Sequence, residues 1–279
     1  MWPEQMVERV WPGRQAVVEP LGGGITNRNF RVSFPGETYV LRIGGKDTEL
    51  LGIDRCAEHG ASLVAAELGL GPEVVGFVDG CLVTRFVAGE VGRINVEEVG
   101  RLLHRLHGGP AIPGRFDSFR VVEAYRETAA ERGVRVPDAY ERAHELAGRI
   151  EAHRRGAPVR PCHNDLLSAN FIDDGERIRI VDWEYAGMGD PYFDLANFAV
   201  NNGLDEEAER ALLAAYGGGD PETLVLMRFM SDFREAMWGV VQQGISELDF
   251  DFVAYADEHF ERLERTAASE RFRAALASA

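Results

Sequence analysis

The sequence is poor in cysteine and contains no apolar run long enough to cross a bilayer. Its three cysteines, Cys56, Cys81 and Cys162, are far apart and form no CxxC pair, so neither a zinc site nor a disulfide framework is predicted. The first residues also lack the basic and then apolar pattern of a signal peptide. We therefore expect a protein that stays in the reducing cytoplasm.

Positive charge is in deficit as well. The chain has 46 acidic and 30 basic residues, which gives a net charge of −16. Such a field repels nucleic acid and anionic lipid and favours a cationic small molecule. Net charge by itself is better explained by solubility, so specificity for a cation requires acidic side chains inside a cleft. The GxxxxGKS/T pattern is absent, which disfavours a P-loop enzyme.

Acidic and amide residues surround a predicted antiparallel hairpin late in the chain. Its two strands, residues 170–172 and 178–183, are joined by an Asp-Asp-Gly turn. This hairpin places Asp165 and Asn170 before the first strand and Asp182 at the end of the second. Carboxylate and amide oxygens are the ligands that hard divalent cations prefer. The sequence therefore predicts a metal site and a substrate that carries phosphate.

The spacing of these residues is typical of phosphoryl transfer in protein kinases, because four residues separate Asp165 from Asn170 and a later aspartate leads a short turn. In that chemistry Asp165 accepts the proton of the attacking hydroxyl. Asn170 and Asp182 hold magnesium on the nucleotide phosphates, and His163 braces the loop. The alternative is that these residues serve only as caps and turns. The joint spacing and the second acid favour the catalytic interpretation.

The motifs at residues 163–170 and 182–187 resemble those of the choline/ethanolamine kinase branch of the aminoglycoside phosphotransferase superfamily. The resemblance extends from residues 21–27 to residues 234–238. It implies an α+β, protein-kinase-like two-lobe fold, with ATP and Mg²⁺ as cofactors. We expect a small β-rich N-terminal lobe over residues 1–89 and a larger, mostly helical C-terminal lobe over residues 90–279.

A glycine-rich turn over residues 21–29 is the expected phosphate-binding element. Successive glycines allow the backbone to approach a phosphate closely with its N–H groups free. The turn departs from the GxGxxG of protein kinases and resembles the GGxTN loop of choline kinases. That resemblance assigns Gly23, Gly24, Thr26 and Asn27 to cofactor binding.

Further cofactor contacts are expected from a strand, a helix and the segment between the lobes. Arg42 stands where a protein kinase carries lysine, and a guanidinium can grip two phosphate oxygens. The resemblance implies that Glu58 orients Arg42. The segment after the strand at residues 81–86 crosses between the lobes in a kinase-like fold, so backbone groups of Arg85, Phe86 and Val87 are expected at the adenine edge.

Acids and aromatics that follow the hairpin, or lie on a late helix, are the expected substrate contacts. A quaternary ammonium binds best to aromatic faces, and nearby carboxylates add attraction. The predicted substrate-binding residues are Glu184, Tyr185, Asp190, Tyr192, Glu235 and Trp238. Two alternatives stand: Trp238 as ordinary core, and Asp190 as a structural acid. For Asp194 a structural role at the start of a helix over residues 195–201 is preferred.

Apolar periodicity predicts that the rest of the chain is a helical scaffold. His104 and His107 end one of these helices, and packing is favoured over metal binding because no further ligand signature accompanies them. The predicted helices span residues 52–69, 96–107, 121–132, 137–155, 204–216, 221–233 with a continuation to 243, and 250–274.

The preferred function is ATP- and Mg²⁺-dependent phosphorylation of the hydroxyl of a small cationic alcohol, with choline as the preferred substrate. Within the superfamily, ethanolamine, thiamine or an aminoglycoside are the alternatives. Two other classes stay open: a metal-dependent phosphoester hydrolase that uses His163 as a ligand, and a nucleotide-binding regulator without catalysis. No nucleic acid, membrane or obligate protein partner is expected.

Overall fold

The computed structural model describes residues 2–22 and 27–278. Its N-terminal part is a five-stranded antiparallel sheet with strand order β1-β2-β3-β5-β4. Two helices accompany the sheet, one before β1 and one between β3 and β4. These elements are α1 (Pro3–Val10), β1 (Val17–Leu21), β2 (Asn27–Phe34), β3 (Glu37–Gly44), α2 (Arg55–Glu67), β4 (Val74–Val78) and β5 (Cys81–Arg85).

The sheet forms because β2 and β3 alternate apolar and polar residues on either side of a tight turn. Gly36 has φ +81°, a backbone angle that glycine adopts without strain. Val32 and Leu41 are fully buried on one face. Met6 of α1, a helix that the sequence did not predict, is buried in the same small core.

The remainder of the chain is mostly helical, with short strands between the helices. The predicted hairpin is present as β8 and β9, although β9 ends at Ile180 rather than at residue 183, so Asp182 follows the strand. β6 pairs with β8 at the edge of the hairpin. β7 and β10 form a separate antiparallel pair. The elements are β6 (Glu90–Val91), α3 (Val96–His107), α4 (Ser118–Glu131), α5 (Ala139–His153), β7 (Arg160–Cys162), β8 (Phe171–Asp173), β9 (Ile178–Ile180), β10 (Gly187–Gly189), α6 (Pro191–Asn201), α7 (Glu206–Tyr216), α8 (Pro221–Ile245), α9 (Phe252–Ala268) and α10 (Glu270–Ser278).

Helix α8 is the axis of the helical part. It has 25 residues, and α4, α6 and α9 pack around it. Nearly every residue from Thr223 to Gln242 is buried, which explains why apolar residues occur on all sides of this helix rather than along one stripe. Asp232, Arg234 and Glu235 are therefore buried charges in the middle of the helix.

Two predicted helix boundaries are wrong for local reasons. Helix α6 begins at Pro191 rather than at residue 195, because the carboxylate of Asp190 accepts the N–H of Tyr192 as a cap. The predicted helix over residues 250–274 is two helices. Ser269 has an extended backbone, and its Oγ accepts the N–H of Phe272 at the start of α10.

The fold class is confirmed: a β-sheet region precedes a helical region. The two hydrophobic cores do not divide at residue 89, however, since Leu51, Ala61 and Leu70 belong to the larger one. The lobe boundary at that residue therefore stays a prediction. Within residues 2–22 and 27–278, no helix combines the length and the apolar character that crossing a membrane would require.

Candidate active site

The loop that carries the predicted base, residues 163–165, is held by the buried carboxylate of Asp194. Asp194 of α6 accepts the backbone N–H of His163 at 2.8 Å and that of Asn164 at 2.7 Å. Its Oδ2 also lies 3.0 Å from Nε2 of His107. Asn164 has φ +68°, an uncommon conformation for a residue other than glycine. Asp194 thus stabilises a strained loop, in line with the preferred structural prediction for it.

His163 uses both ring nitrogens inside the protein. Nδ1 accepts the N–H of Asp165, and Nε2 donates to the carbonyl of Val181 at 3.0 Å. Burial lowers the pKa of His163, which agrees with a neutral ring. The ring therefore ties the loop to the strand before Asp182. It has no nitrogen left for a metal, which argues against the hydrolase alternative.

Asp165 lies between two polar environments. Asn170 Nδ2 donates to its backbone carbonyl at 2.9 Å, and Nη1 of Arg234 lies 3.4 Å from its Oδ1. Burial raises the pKa of Asp165 to about 8, and the acids Glu235, Asp182 and Glu184 also raise it, while Arg234 opposes the shift. Its carboxylate is therefore a stronger base than an exposed aspartate.

Asn170 and Asp182 are adjacent, as the hairpin prediction required. The N–H of Val181 donates to the carbonyl of Asn170 at 2.9 Å, and both polar residues line the same cavity. Because Nδ2 of Asn170 is held by Asp165, its Oδ1 is the atom left to act as a ligand. A carboxylate and an amide oxygen at one cavity wall fit a magnesium ion. Asp182 has φ +68°, a second strained residue at this site.

Arg42 joins this cluster from the sheet. Its Nη1 donates to Oε1 of Glu58 at 2.9 Å and also to the carboxylate of Asp182. Although burial disfavours its charged form, Asp182 and Glu58 raise the pKa of Arg42, so it stays charged. The predicted pairing of Glu58 with Arg42 is present in the structure.

A cavity of about 370 Å³ opens between the sheet and the hairpin. Arg42 and Asp182 lie in its wall, together with the apolar side chains of Val40 and Leu82. Arg85, Phe86 and Val87 also line it. The N–H groups of Arg85 and Phe86 donate to carbonyls of Glu73 and Thr38, whereas that of Val87 has no acceptor among the described residues.

The glycine-rich turn can be followed only in part. Gly23, Gly24 and Thr26 lie outside the described residues. Asn27 is buried, and its Nδ2 donates to Oε2 of Glu184 at 2.8 Å.

Glu184 faces the sheet side of the site. In addition to Asn27, its Oε2 accepts Nη1 of Arg55 at 3.2 Å, which links the hairpin to β2 and α2. Burial and the charge of Asp182 raise the pKa of Glu184 to about 7. Both of these hydrogen-bond partners belong to the sheet region, so a role of Glu184 as a direct substrate contact stays a prediction.

Three of the predicted substrate residues meet in one place, which we call the aromatic pocket: Tyr185, Glu235, Trp238 and, in addition, Tyr255 of α9. Nε1 of Trp238 donates to the hydroxyl of Tyr185 at 3.1 Å. The hydroxyl of Tyr255 donates to Oε2 of Glu235 at 2.9 Å. Trp238 and Tyr255 pack edge to face, with ring centroids 5.4 Å apart. Aromatic rings and a carboxylate are therefore clustered here, and these are the kinds of group that bind a cation.

Asp190 and Tyr192, also predicted to bind substrate, are placed elsewhere. The carboxylate of Asp190 caps α6 and forms a two-point ion pair with Arg154, at 2.8 and 2.9 Å. The hydroxyl of Tyr192 accepts the N–H of Asp220 at the start of α8. These contacts explain both residues as parts of the scaffold, and neither joins the aromatic pocket.

The sequence analysis did not predict three residues of the site: Arg234, Tyr255 and Arg55. A signal for Arg234 existed, because a charged group inside a helix that is apolar on all sides must be buried and paired. Tyr255 lies on a later helix whose packing against α8 is a tertiary contact, so no local pattern identifies it. His107 is buried and contacts two side chains: Nδ1 lies 2.8 Å from the hydroxyl of Tyr216, and Nε2 lies 3.0 Å from Oδ2 of Asp194.

A small antiparallel sheet above a helical lobe, with an acid, an amide and a second acid at a hairpin, defines a protein-kinase-like phosphotransferase. Residues 17–227 match the phosphotransferase enzyme family, and the chain belongs to that family. The family assignment confirms the resemblance seen in the motifs.

Individual proteins of known name that are similar to the chain agree with this family assignment. The chain is 28% identical over 207 residues to protein LicA of Haemophilus influenzae, across 70% of this chain and 61% of the relative. It thus spans less than two thirds of that protein. It is 26% identical to ethanolamine kinase 1 of Mus musculus, across 90% of this chain and 84% of the relative.

The fold is shared with solved structures. A choline/ethanolamine kinase family protein from Mesorhizobium loti superposes with a TM-score of 0.83 and 31% identity, across 99% of this chain and 97% of the other. The similarity therefore covers both the sheet and the helical region.

Proposed function

We propose that the chain transfers the γ-phosphoryl group of ATP, with Mg²⁺, to the hydroxyl of a small cationic alcohol. Choline is the first candidate for this alcohol. The observation that carries this proposal is the position of Asp165. On one side it contacts Asn170 at the wall of the nucleotide-sized cavity, and on the other it contacts Arg234 at the aromatic pocket. A base between the two sites suits direct transfer from one ligand to the other.

The cavity would hold the nucleotide. The N–H of Val87, which has no acceptor among the described residues, suits an acceptor on the adenine edge. Arg42 suits the phosphates, whose oxygens would share the guanidinium with Asp182. Asn170 and Asp182 would hold magnesium, which when bound neutralises charge on the phosphate oxygens. Gly23, Gly24, Thr26 and Asn27 remain the proposed phosphate-binding turn.

Asp165 would align the hydroxyl and accept its proton. A base is most effective when its pKa lies near the working pH, and burial brings the pKa of this carboxyl to about 8. His163, Asn164 and Asp194 hold the loop so that the carboxylate keeps one position. Most of the catalysis would be positioning and charge stabilisation.

The aromatic pocket would receive the cationic end of the alcohol. Tyr185 and Trp238 provide aromatic faces, and Glu235 provides the negative charge. The names of the relatives support choline or ethanolamine as the alcohol. Asp190 and Tyr192 are not proposed as contacts, because both are engaged in the scaffold.

A panel of alcohols tests this function. Choline, ethanolamine, thiamine and an aminoglycoside are each incubated with ATP and Mg²⁺, and ADP release is followed. We expect ADP release that depends on the alcohol and is fastest with choline. Phosphate release without any alcohol would favour the hydrolase instead. Transfer that survives Asp165→Asn would contradict the role of the base.

A further inference from the structure

The aromatic pocket already contains a cation from the chain itself. The guanidinium carbon of Arg234 lies 4.4 Å from the ring centroid of Tyr185, which is the geometry of a cation–π contact. Its Nη1 donates to Oε1 of Glu235 at 2.7 Å and lies 3.4 Å from Oδ1 of Asp165. The side chain is only 1% exposed. One aromatic face and the carboxylate of Glu235, the groups expected to hold a substrate cation, are therefore in use, and so is the carboxylate of the proposed base Asp165.

This arginine is incompletely satisfied in its buried position. Within the part of the chain that the structure describes, Nε and Nη2 of Arg234 are buried and have no hydrogen-bond acceptor. A guanidinium carries five N–H donors, and burying unpaired donors of a charged group is costly. The side chain of Arg234 is thus held mainly by its contacts with Tyr185, Glu235 and Asp165, since Nε and Nη2 make no hydrogen bond within the described residues. Such an element can be displaced by a ligand that satisfies the same partners better.

A second cation cannot share this position. Like charges repel strongly where little water screens them, and the face of Tyr185 accommodates one cationic group at a time. A quaternary ammonium has no N–H donors, so it depends on the aromatic face more than a primary ammonium does.

We propose that Arg234 is a resident competitor for the substrate's cationic group and a specificity-determining residue of the aromatic pocket. The cationic alcohol must displace its guanidinium from Tyr185, which weakens binding of quaternary ammonium alcohols above all. This inference rests on the proposed function, because it names the same pocket as the substrate site. The substrate cation then takes over the charge balance of Glu235 and Asp165.

The proposal is tested with variants of Arg234 and with two alcohols of the same shape, one charged and one uncharged. Arg234→Met removes the charge, and Arg234→Lys keeps it. Arg228→Met is the matched control, since Arg228 lies on the same helix but pairs with Glu209 instead of the pocket. Each protein is assayed with choline and with 3,3-dimethylbutan-1-ol, its uncharged isostere. Choline binding is also followed as the rise in Tm at fixed choline concentration, which needs no turnover.

In Arg234→Met we expect the KM for choline to fall about tenfold, the scale of one desolvated cation–π contact. The KM for the uncharged isostere should fall less, and the rise in Tm with choline should grow. Arg228→Met should resemble the unmodified chain, and Arg234→Lys, which keeps the charge, should lower the KM for choline less than Arg234→Met does. KM and binding, rather than kcat, decide, because in the proposal the bound substrate cation supplies the charge balance of Asp165.

A higher KM for choline in Arg234→Met, or equal changes for both alcohols, would overturn the inference while leaving the kinase function intact. Absence of alcohol-dependent turnover in the unmodified chain would instead sink the proposed function, and the Tm measurement would still decide the role of Arg234. Should Arg234→Met fail to fold, a crystal structure of the unmodified chain with choline decides. The guanidinium should have left Tyr185, and choline bound elsewhere with Arg234 in place refutes the proposal.

Discussion

Replacing Asp165 by asparagine should abolish phosphoryl transfer and at the same time stabilise the chain above neutral pH. The carboxyl is buried, and its pKa in the folded state is about 8 against an ordinary value of 3.8. A raised pKa stabilises the fold fully only below the unfolded value. That contribution is lost as the pH rises through the folded value. Asparagine has no such titration, so the variant should gain stability relative to the unmodified chain as pH rises.

The size of the effect follows from proton linkage. One proton held only by the folded chain changes stability by about 1.4 kcal/mol per pH unit. From pH 5 to pH 8 this amounts to about 4 kcal/mol if Asp165 alone holds the proton, and to about half if Glu184 shares it. With an unfolding entropy of about 0.6 kcal/mol/K for 279 residues, the Tm difference should grow by about 3 to 7 °C.

Thermal unfolding at several pH values between 5 and 8 measures this difference directly. Asp138→Asn is the control, because Asp138 is exposed and its ion-pair partner Arg135, 3.4 Å away, is exposed as well. Its Tm difference from the unmodified chain should not change with pH. In Asp165→Asn, Arg234 keeps its closer partner Glu235, so loss of that pairing should not mask the gain. A Tm difference that is constant or shrinks with rising pH would refute the reasoning.

Three further substitutions test the rest of the site. Asp182→Asn removes a charged oxygen from the proposed magnesium site, so kcat should fall about a hundredfold and saturation should need more Mg²⁺ in a metal titration; unchanged magnesium dependence would contradict that site. Arg42→Lys keeps the charge but loses the planar guanidinium that can grip two phosphate oxygens, so the KM for ATP should rise about tenfold in initial-rate assays; an unaltered KM would remove Arg42 from nucleotide binding. His107→Ala leaves the buried Asp194 with one fewer partner, and the Tm should fall by about 5 °C in thermal unfolding; an equal Tm would mean that this contact does not hold the loop.

The residues of the central hairpin were predictable because they are close in sequence. A tight turn fixes which ends of two strands meet, so the spacing of Asp165, Asn170 and Asp182 is enough to bring them to one place. The pairing of Arg42 with Glu58 came from the family resemblance, and the structure shows it. The roles of all these residues stay predictions until they are measured.

Predictions that depended on composition alone fared differently. Asp190 and Tyr192 have the chemistry of a cation site. In the structure Asp190 caps α6 and pairs with Arg154, Tyr192 accepts the N–H of Asp220, and none of these contacts can be read from residue type. Arg234, in contrast, lies in the aromatic pocket but was not predicted to do so. It is next to Glu235 in a helix that is buried on all sides, and in such a helix the sequence periodicity does not show which of two neighbouring residues faces a pocket.

The central claim is that Asp165 stands between a nucleotide and an alcohol and passes phosphoryl from one to the other. Phosphorus-31 NMR of the chain with ATP, Mg²⁺ and choline tests it most directly, because each phosphorus species gives its own signal. We predict that a choline phosphate ester appears in step with ADP and that neither forms with Asp165→Asn. Inorganic phosphate in place of the ester, or ester formed equally by the variant, would contradict the account.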